Sequence, residues 1–122
     1  MMIEQLLKQL TEEFIQHWNN WEIDSLGKFF QEDVVVYSPY IKMVYPNNTE
    51  GMLKGKAAVL GYWRILKSIG FTKKFTQISF QREGQTVYAS FLIDNGPETM
   101  HTTYVYNEYA KMSMLKFDYT SE

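Results

Sequence analysis

The sequence predicts an α+β domain with three helices in its N-terminal half and an antiparallel sheet in its C-terminal half. Apolar residues recur every three to four positions as far as Gly70, and after it they alternate with other residues. The chain has 122 residues and no cysteine, which fits one domain with a core of its own and no disulfides. Helices grouped ahead of strands then pack on one face of the sheet.

Each helix is predicted from an apolar face. The face of the first helix consists of Ile3, Leu6, Leu7, Leu10, Phe14, Trp18 and Trp21. Asn19 and Asn20 interrupt this helix, because asparagine favours caps and turns. A short second helix has a face of Ile23, Leu26, Phe29 and Phe30. The third helix begins at Gly55 and ends at Gly70, and its face consists of Val59, Tyr62, Trp63, Leu66 and Ile69.

Five strands are predicted, and the first covers residues 34–37, which are β-branched or aromatic. Pro39 ends it, since proline cannot donate a hydrogen bond to a neighbouring strand. Residues 41–55 are expected to form a long loop. The other strands are predicted near residues 73–82, 86–94, 99–107 and 111–119. Turn residues at Glu83-Gly84 and Asn95-Gly96-Pro97 separate three of them.

Composition narrows the class of protein. The net charge of −2 argues against a nucleic-acid-binding protein, and no apolar run is long enough to span a membrane. Without a targeting signal, we expect a cytoplasmic protein. Two histidines without close carboxylates predict neither a metal site nor a cofactor. Residues 42–74 carry seven basic residues against one acid, which indicates either a solvated surface or an attraction for anionic partners.

Three short motifs carry a resemblance to a known superfamily. They are the runs Trp18-Asn19-Asn20-Trp21-Glu22-Ile23-Asp24-Ser25-Leu26, Phe29 to Pro39 and Gly55-Lys56-Ala57-Ala58-Val59. Together with the order of elements, they resemble the nuclear transport factor 2-like superfamily, above all its SnoaL-like and ketosteroid isomerase-like subgroups. The resemblance implies a single SnoaL-like domain over residues 1–122. It also implies a cystatin-like cone, in which the three helices pack in the concave face of a strongly curved, mainly antiparallel sheet.

The catalytic residues of ketosteroid isomerases are not matched. Ser38 stands where the resemblance implies an aspartate base, and a serine hydroxyl is no general base near neutral pH. Phe14 stands where it implies a tyrosine donor. The third group, a protonated acid, falls near residues 99–101, where no carboxylate stands. The sequence therefore favours binding over catalysis.

Strand alternation and helix faces together predict a ligand pocket. With His101 pointing into the cone, an apolar, aromatic pocket is expected to be lined by Phe14, Trp18, Val36, Ser38, Tyr40, Trp63, His101 and Thr103. These rings could equally fill the cone as core. The predicted function is binding of a small hydrophobic or aromatic molecule. The alternative is an isomerase, cyclase or dehydratase acting on a small ring or carbonyl compound through His101, Ser38 and Tyr40.

The same alternation predicts a second surface, on the outside of the cone. It should present a patch of Met100, Thr102, Tyr104, Tyr106, Met112 and Met114. A solvated sheet face is normally polar, whereas methionine and tyrosine are enriched in protein interfaces. We therefore expect a homodimer that pairs through this patch. A second alternative function is a dimeric assembly module.

Overall fold

The computed structural model describes residues 2–71 and 73–120 and has the predicted α+β architecture. The helices are α1 (Met2–Asn19), α2 (Ile23–Leu26, extended by a 3-10 turn over Gly27–Phe29), α3 (Ile41–Val44) and α4 (Lys56–Ser68). The strands are β1 (Phe30–Tyr37), β2 (Met52–Lys54), β3 (Phe75–Glu83), β4 (Thr86–Ile93), β5 (Thr99–Tyr106) and β6 (Met112–Thr120). No helix within the described residues is both long and apolar enough to cross a membrane.

The strands form one mixed sheet in the order β2-β1-β6-β5-β4-β3. Strands β3 to β6 are antiparallel neighbours in chain order, as the predicted turns require. β1 pairs in parallel with β6, the last strand along the chain. The sheet stays open, with β2 and β3 at its edges. Register shifts in three of the strand pairs add to its curvature.

The segment predicted as a loop contains two short elements. α3 and β2 have only four and three residues, which is too short to show a period in the sequence. β2 forms because Leu53 lies opposite Val36 on β1. The first long strand also begins earlier than predicted, at Phe30, because its early residues pair with β6 across a bulge.

The core lies where the two long helices meet the concave side of the sheet. The Phe14 ring is fully buried, and it contacts the rings of five other residues: Trp18, Phe29, Phe30, Trp63 and Tyr104. The indoles of Trp18 and Trp63 are buried, as the helix faces predict, with their ring centres 4.6 Å apart. The centre of the cone is thus packed with aromatic side chains.

The predicted faces of β5 are inverted in the structure. The predicted outer residues of this strand, Met100, Thr102, Tyr104 and Tyr106, are all buried and face the helices. His101 and Thr103 therefore point to the convex side. Alternation divides a strand into two sets of side chains but does not say which set meets the core. Placing His101 inward was wrong, because the larger, more apolar set filled the space under Phe14.

The predicted dimer patch is therefore not a surface. Met112 is fully buried as well, because a register shift beside Tyr106 turns it towards the core. Met114, only two residues later, is half-buried on the convex side. It is the one residue of the predicted patch that lies on that side.

Candidate functional site

The structure divides the predicted pocket residues into two groups. Phe14, Trp18, Val36, Ser38 and Trp63 are buried inside the cone, and Tyr40 is half-buried at its margin. The other group, His101 and Thr103, lies on the opposite side of the sheet.

His101 makes its own contacts on the convex side. Its Nδ1 lies 2.8 Å from the Ser90 hydroxyl, and its Nε2 lies 3.1 Å from the Thr120 hydroxyl. The predicted grouping of His101 with Ser38 and Tyr40 is therefore wrong, since the sheet separates them.

Three tyrosines meet around Ser38 near the carboxyl end of β1. Tyr40 follows this strand, Tyr62 comes from α4, and Tyr119 comes from the end of β6. Hydrogen bonding to the Ser38 hydroxyl lowers the pKa of the Tyr62 and Tyr119 phenols, against the larger, opposite effect of burial. The rings of Tyr40 and Tyr119 meet edge to face with centres 4.8 Å apart. We call Ser38, Tyr40, Tyr62 and Tyr119 the tyrosine cluster.

The chain around Ser38 explains how the cluster is held. The main-chain N–H of Ser38 donates to the Gly51 carbonyl (3.0 Å), and its hydroxyl accepts from the Tyr40 N–H (3.3 Å). The Ser38 carbonyl accepts from Ile41 at the start of α3. Gly51 has φ +66°, and a Cβ there would lie 3.4 Å from the Ser38 carbonyl oxygen. Glycine suits this position because it adopts positive φ without strain.

Burial keeps the phenols of the cluster protonated. It raises the pKa of Tyr62 to about 12, an effect that hydrogen bonding to Ser38 partly offsets and the neighbouring Tyr40 and Tyr45 increase. Burial also raises the pKa of Tyr119 far above its ordinary value, with Tyr40 and Tyr62 adding to the shift. Both phenols are therefore neutral near pH 7. They can donate hydrogen bonds, but neither can act as a base.

This raised pKa predicts a loss of stability in alkali. The folded protein keeps the Tyr62 phenol protonated to about pH 12, whereas the unfolded chain releases that proton near pH 10. The free energy of unfolding should therefore fall as the pH rises, by about 1 kcal/mol between pH 9 and pH 11 from Tyr62. Denaturant unfolding at several pH values measures this slope. Tyr62→Phe should reduce it, whereas Tyr109→Phe, at an exposed ring, should not; equal slopes would contradict the assignment.

Comparison with known proteins identifies the fold. No protein-family model and no curated protein matches the sequence. Among solved structures, a SnoaL-like protein of unknown function from Burkholderia thailandensis is 19% identical and matches 93% of this chain and 94% of its own, with a TM-score of 0.81. The chain adopts the nuclear transport factor 2-like fold.

Two further solved structures share this fold. SalBIII, an epoxide hydrolase/cyclase-like enzyme with a role in pyran ring formation in salinomycin, is 14% identical. It matches 98% of this chain and 95% of its own, with a TM-score of 0.76. TerC, crystallised with polyporic acid, is 11% identical and matches 93% of this chain and 91% of its own, with a TM-score of 0.75.

The structure shows a carboxylate near the tyrosine cluster, Glu98, which the comparison with the catalytic residues of ketosteroid isomerases did not identify. Glu98 lies just before β5, and its charge raises the pKa of both Tyr40 and Tyr119, after the larger effect of burial. It stands one residue before the stretch 99–101 that was searched for an acid. The turn Asn95-Gly96-Pro97 was the available signal, because it delivers the next residue to the end of the sheet.

Among the clefts that the described residues form, a larger and a smaller one lie near the helices and the end of β1. The larger, about 810 Å³, lies between α4 and the turn after α1. Its charged groups are already engaged: Arg64 pairs with Asp24 at 2.6 Å, and the Lys67 ammonium donates to the Trp21 carbonyl. The smaller, about 220 Å³, adjoins Ser38. Its lining includes Ser38 but none of the three tyrosines of the cluster.

No group of three His, Cys, Asp or Glu side chains among the described residues is arranged to hold a metal ion. The tyrosine cluster offers aromatic faces and neutral hydroxyl donors, and the charge of Glu98 acts on two of its tyrosines.

Proposed function

We propose that this protein binds a small, oxygen-bearing ring compound at the tyrosine cluster. The observation that supports this proposal is the meeting of the half-buried Tyr40 and Tyr119 rings, with centres 4.8 Å apart, at the margin of the cone where Ser38 and Tyr62 are buried. Small-molecule sites are typically apolar and aromatic with a few polar groups that fix the orientation of the ligand. The structural neighbours support a role in small-molecule binding or ring chemistry of this kind.

Each part of the cluster has a distinct task in this proposal. The rings of Tyr40 and Phe71, whose centres are 4.7 Å apart, offer aromatic surface at the half-buried margin. Tyr62 and Tyr119 donate hydrogen bonds to carbonyl or hydroxyl oxygens of the ligand. Glu98 accepts a hydrogen bond from a ligand hydroxyl. A flat ring compound with oxygen atoms on its edge makes all three kinds of contact: stacking on the rings, accepting from the phenols and donating to Glu98.

Polyporic acid is a suitable probe, because it is a hydroxylated quinone with aromatic substituents and because TerC was crystallised with it. We expect it to bind this protein and to quench tyrosine and tryptophan fluorescence. Tyr62→Phe and Tyr119→Phe should each weaken binding about fivefold, which corresponds to one neutral hydrogen bond. Tyr109→Phe is the matched control, because this ring is 76% exposed and lies in the turn before β6, whereas Tyr119 lies at the end of that strand. Unchanged affinity in both cluster variants would refute the proposal.

A second candidate function is an isomerase-, cyclase- or dehydratase-type reaction at the same cluster. Glu98 favours it, because a carboxylate whose charge acts on Tyr40 and Tyr119 provides a general base, and the neutral phenols provide hydrogen-bond donors for a substrate oxygen. In this candidate Glu98 takes the role that His101 was predicted to have. Glu98→Gln separates the two functions. The amide oxygen still accepts a hydrogen bond, so the affinity of a binding protein for the probe should fall by about tenfold or less, whereas an enzyme should lose turnover by about a hundredfold or more.

We also propose a homodimer, now through the convex side of the sheet. An apolar row crosses this side where Val105, Met114 and Val35 lie next to one another on β5, β6 and β1. Beside it, Tyr37 and Tyr88 are 38% and 43% exposed. Solvated sheet faces are normally polar, and methionine and tyrosine are enriched at interfaces. A second copy related by a two-fold axis would cover this row with its own.

Met114→Lys tests this dimer, because it puts a charge in the middle of the apolar row. We expect wild-type protein at about 50 μM to sediment as a dimer and the variant as a folded monomer, since burying an unpaired charge in an interface is costly. Thr49→Lys adds the same charge in an exposed loop and should leave the dimer intact. A monomeric wild type, or a dimeric Met114→Lys, would exclude this interface.

A further inference from the structure

A serine and a histidine are hydrogen-bonded to each other on the convex side of the sheet. His101 Nδ1 lies 2.8 Å from the Ser90 hydroxyl, because the two residues lie directly opposite each other on β5 and β4. Both side chains are half-buried, so the pair can be reached from the convex side. A hydroxyl within hydrogen-bond distance of an imidazole is the arrangement that activates a serine as a nucleophile. The tyrosine cluster does not use this pair, since the sheet lies between them.

The second ring nitrogen of His101 fixes the orientation of the imidazole. Its Nε2 lies 3.1 Å from the hydroxyl of Thr120 on β6. With the ring proton on Nε2, the imidazole donates to Thr120, and the free lone pair of Nδ1 accepts from the Ser90 hydroxyl. Asp118 lies opposite His101 on β6, but the hydrogen bond of Nε2 is to Thr120. The arrangement thus consists of a nucleophile, a base and a group that orients the base.

The surroundings of Ser90 indicate which compounds could react there. Tyr88 and Leu92 lie two residues away on either side, and alternation along β4 places them on the convex side with Ser90. Tyr88 is 43% exposed and Leu92 is half-buried. These two side chains provide an apolar surface for an uncharged organic group.

The position of β4 limits the reaction to activated compounds. β4 is an inner strand, between β3 and β5, and inner strands use their main-chain N–H groups to bond to both neighbours. The main chain beside Ser90 is therefore engaged and does not supply the donors that stabilise an oxyanion in fast hydrolases. Only compounds with a good leaving group should react.

We propose that Ser90 and His101 form a second reactive site, which cleaves small uncharged aryl esters. The Ser90 oxygen attacks the carbonyl carbon of the ester, and its proton moves to Nδ1 of His101. The bond from the carbonyl carbon to the leaving oxygen breaks, that oxygen takes the proton from His101, and the acyl group stays on Ser90. Water then attacks the acyl carbon and gives a proton to His101. The carboxylic acid leaves, and Ser90 takes this proton back.

The acyl group on Ser90 can be detected directly. Para-nitrophenyl acetate is the probe, because its acyl group is small and its leaving group is good. After quenching in acid, mass spectrometry of tryptic peptides should show an acetyl group on Ser90. Ser79 is the matched control, because it lies opposite Ser90 on β3 and contacts no histidine among the described residues. Trypsin cuts after Arg82, which separates the two serines, and Ser79 should stay unmodified.

Substitutions separate the roles of the base and of the group that orients it. His101→Asn keeps a hydrogen-bonding group beside Ser90 but removes the base, so acetylation of Ser90 should slow by about a hundredfold. Thr120→Val removes the partner of Nε2 and should slow it by about fivefold, whereas Thr120→Ser keeps the hydroxyl and the rate. Melting temperatures confirm that each variant is folded.

The same measurements on Met114→Lys ensure that cover by the convex-side dimer is not mistaken for lack of reactivity. Met114 lies opposite Val105, which is four residues along β5 from His101, so this substitution leaves the pair in place. Acetylation of Ser90 is expected in this variant whether or not the wild type is a dimer. Ser90 left unmodified in both proteins, Ser79 modified as fast as Ser90, or a His101→Asn variant as reactive as the wild type would overturn the proposal. An unchanged rate in Thr120→Val would overturn the role of Thr120.

Discussion

Tyr104→Lys is expected to unfold the protein at neutral pH. The Tyr104 ring is fully buried and lies 5.9 Å from the ring of Phe14 in the centre of the core. A lysine there must either leave a charge in an apolar core or give up its proton. Groups buried in this way shift their pKa by three to five units, which costs about 4–7 kcal/mol. That is comparable with the whole stability of a small domain, about 5–15 kcal/mol.

Two further substitutions test whether burial on the concave face of β5 causes the expected unfolding of Tyr104→Lys. Tyr104→Phe removes a buried hydroxyl that has no hydrogen-bond partner among the described residues, so stability should be unchanged or about 1 kcal/mol higher. Thr103→Lys, on the convex side, should cost about 1 kcal/mol or less, because it only places two lysines opposite each other at Lys116. Circular dichroism shows whether each variant is folded, and denaturant unfolding measures its free energy of unfolding. A folded Tyr104→Lys would show that the face assignment is wrong.

Phe14→Ala is expected to lower the free energy of unfolding by about 3–5 kcal/mol. The loss combines the transfer energy of the ring with a cavity that the surrounding aromatic side chains cannot close. Five rings on several different elements contact Phe14, so the effect of this substitution should extend across the helix–sheet interface. Denaturant titration at pH 7 measures it.

Phe14→Leu is an intermediate substitution that keeps most of the apolar volume. It should lower the free energy of unfolding by about 1–2 kcal/mol. Tyr109→Ala removes a ring that is 76% exposed and should change stability by about 0.5 kcal/mol or less. If Phe14→Ala cost no more than Phe14→Leu, the ring would line an open space and would not belong to the core. Probe binding to the two variants then shows whether that space holds a ligand.

The proposed site depends on groups that come together from distant parts of the chain. Ser38, Tyr62, Glu98 and Tyr119 belong to four different segments, and no local spacing connects them. Ser38 and Tyr40 could be predicted as site residues from the resemblance and from the strand-ending proline. Tyr62 was predicted only as part of a helix face, and Glu98 was not predicted. Their role depends on how α4 and the start of β5 pack around the end of β1.

The order of the long elements and most of the buried faces of the helices followed from the sequence alone, although Leu6 and Ile69, which were predicted on those faces, are exposed. A helix shows its buried face directly, because apolar residues recur at 3.6-residue spacing, and Trp18 and Trp63 are buried accordingly. A strand whose two sets of side chains are both partly apolar does not show which set faces the core. In the tertiary structure Tyr104 packs against Phe14 on the core side, and alternation along β5 therefore places His101 on the convex side. Likewise, α3 and β2 are too short for any period, so packing and pairing with neighbouring elements determined where they form.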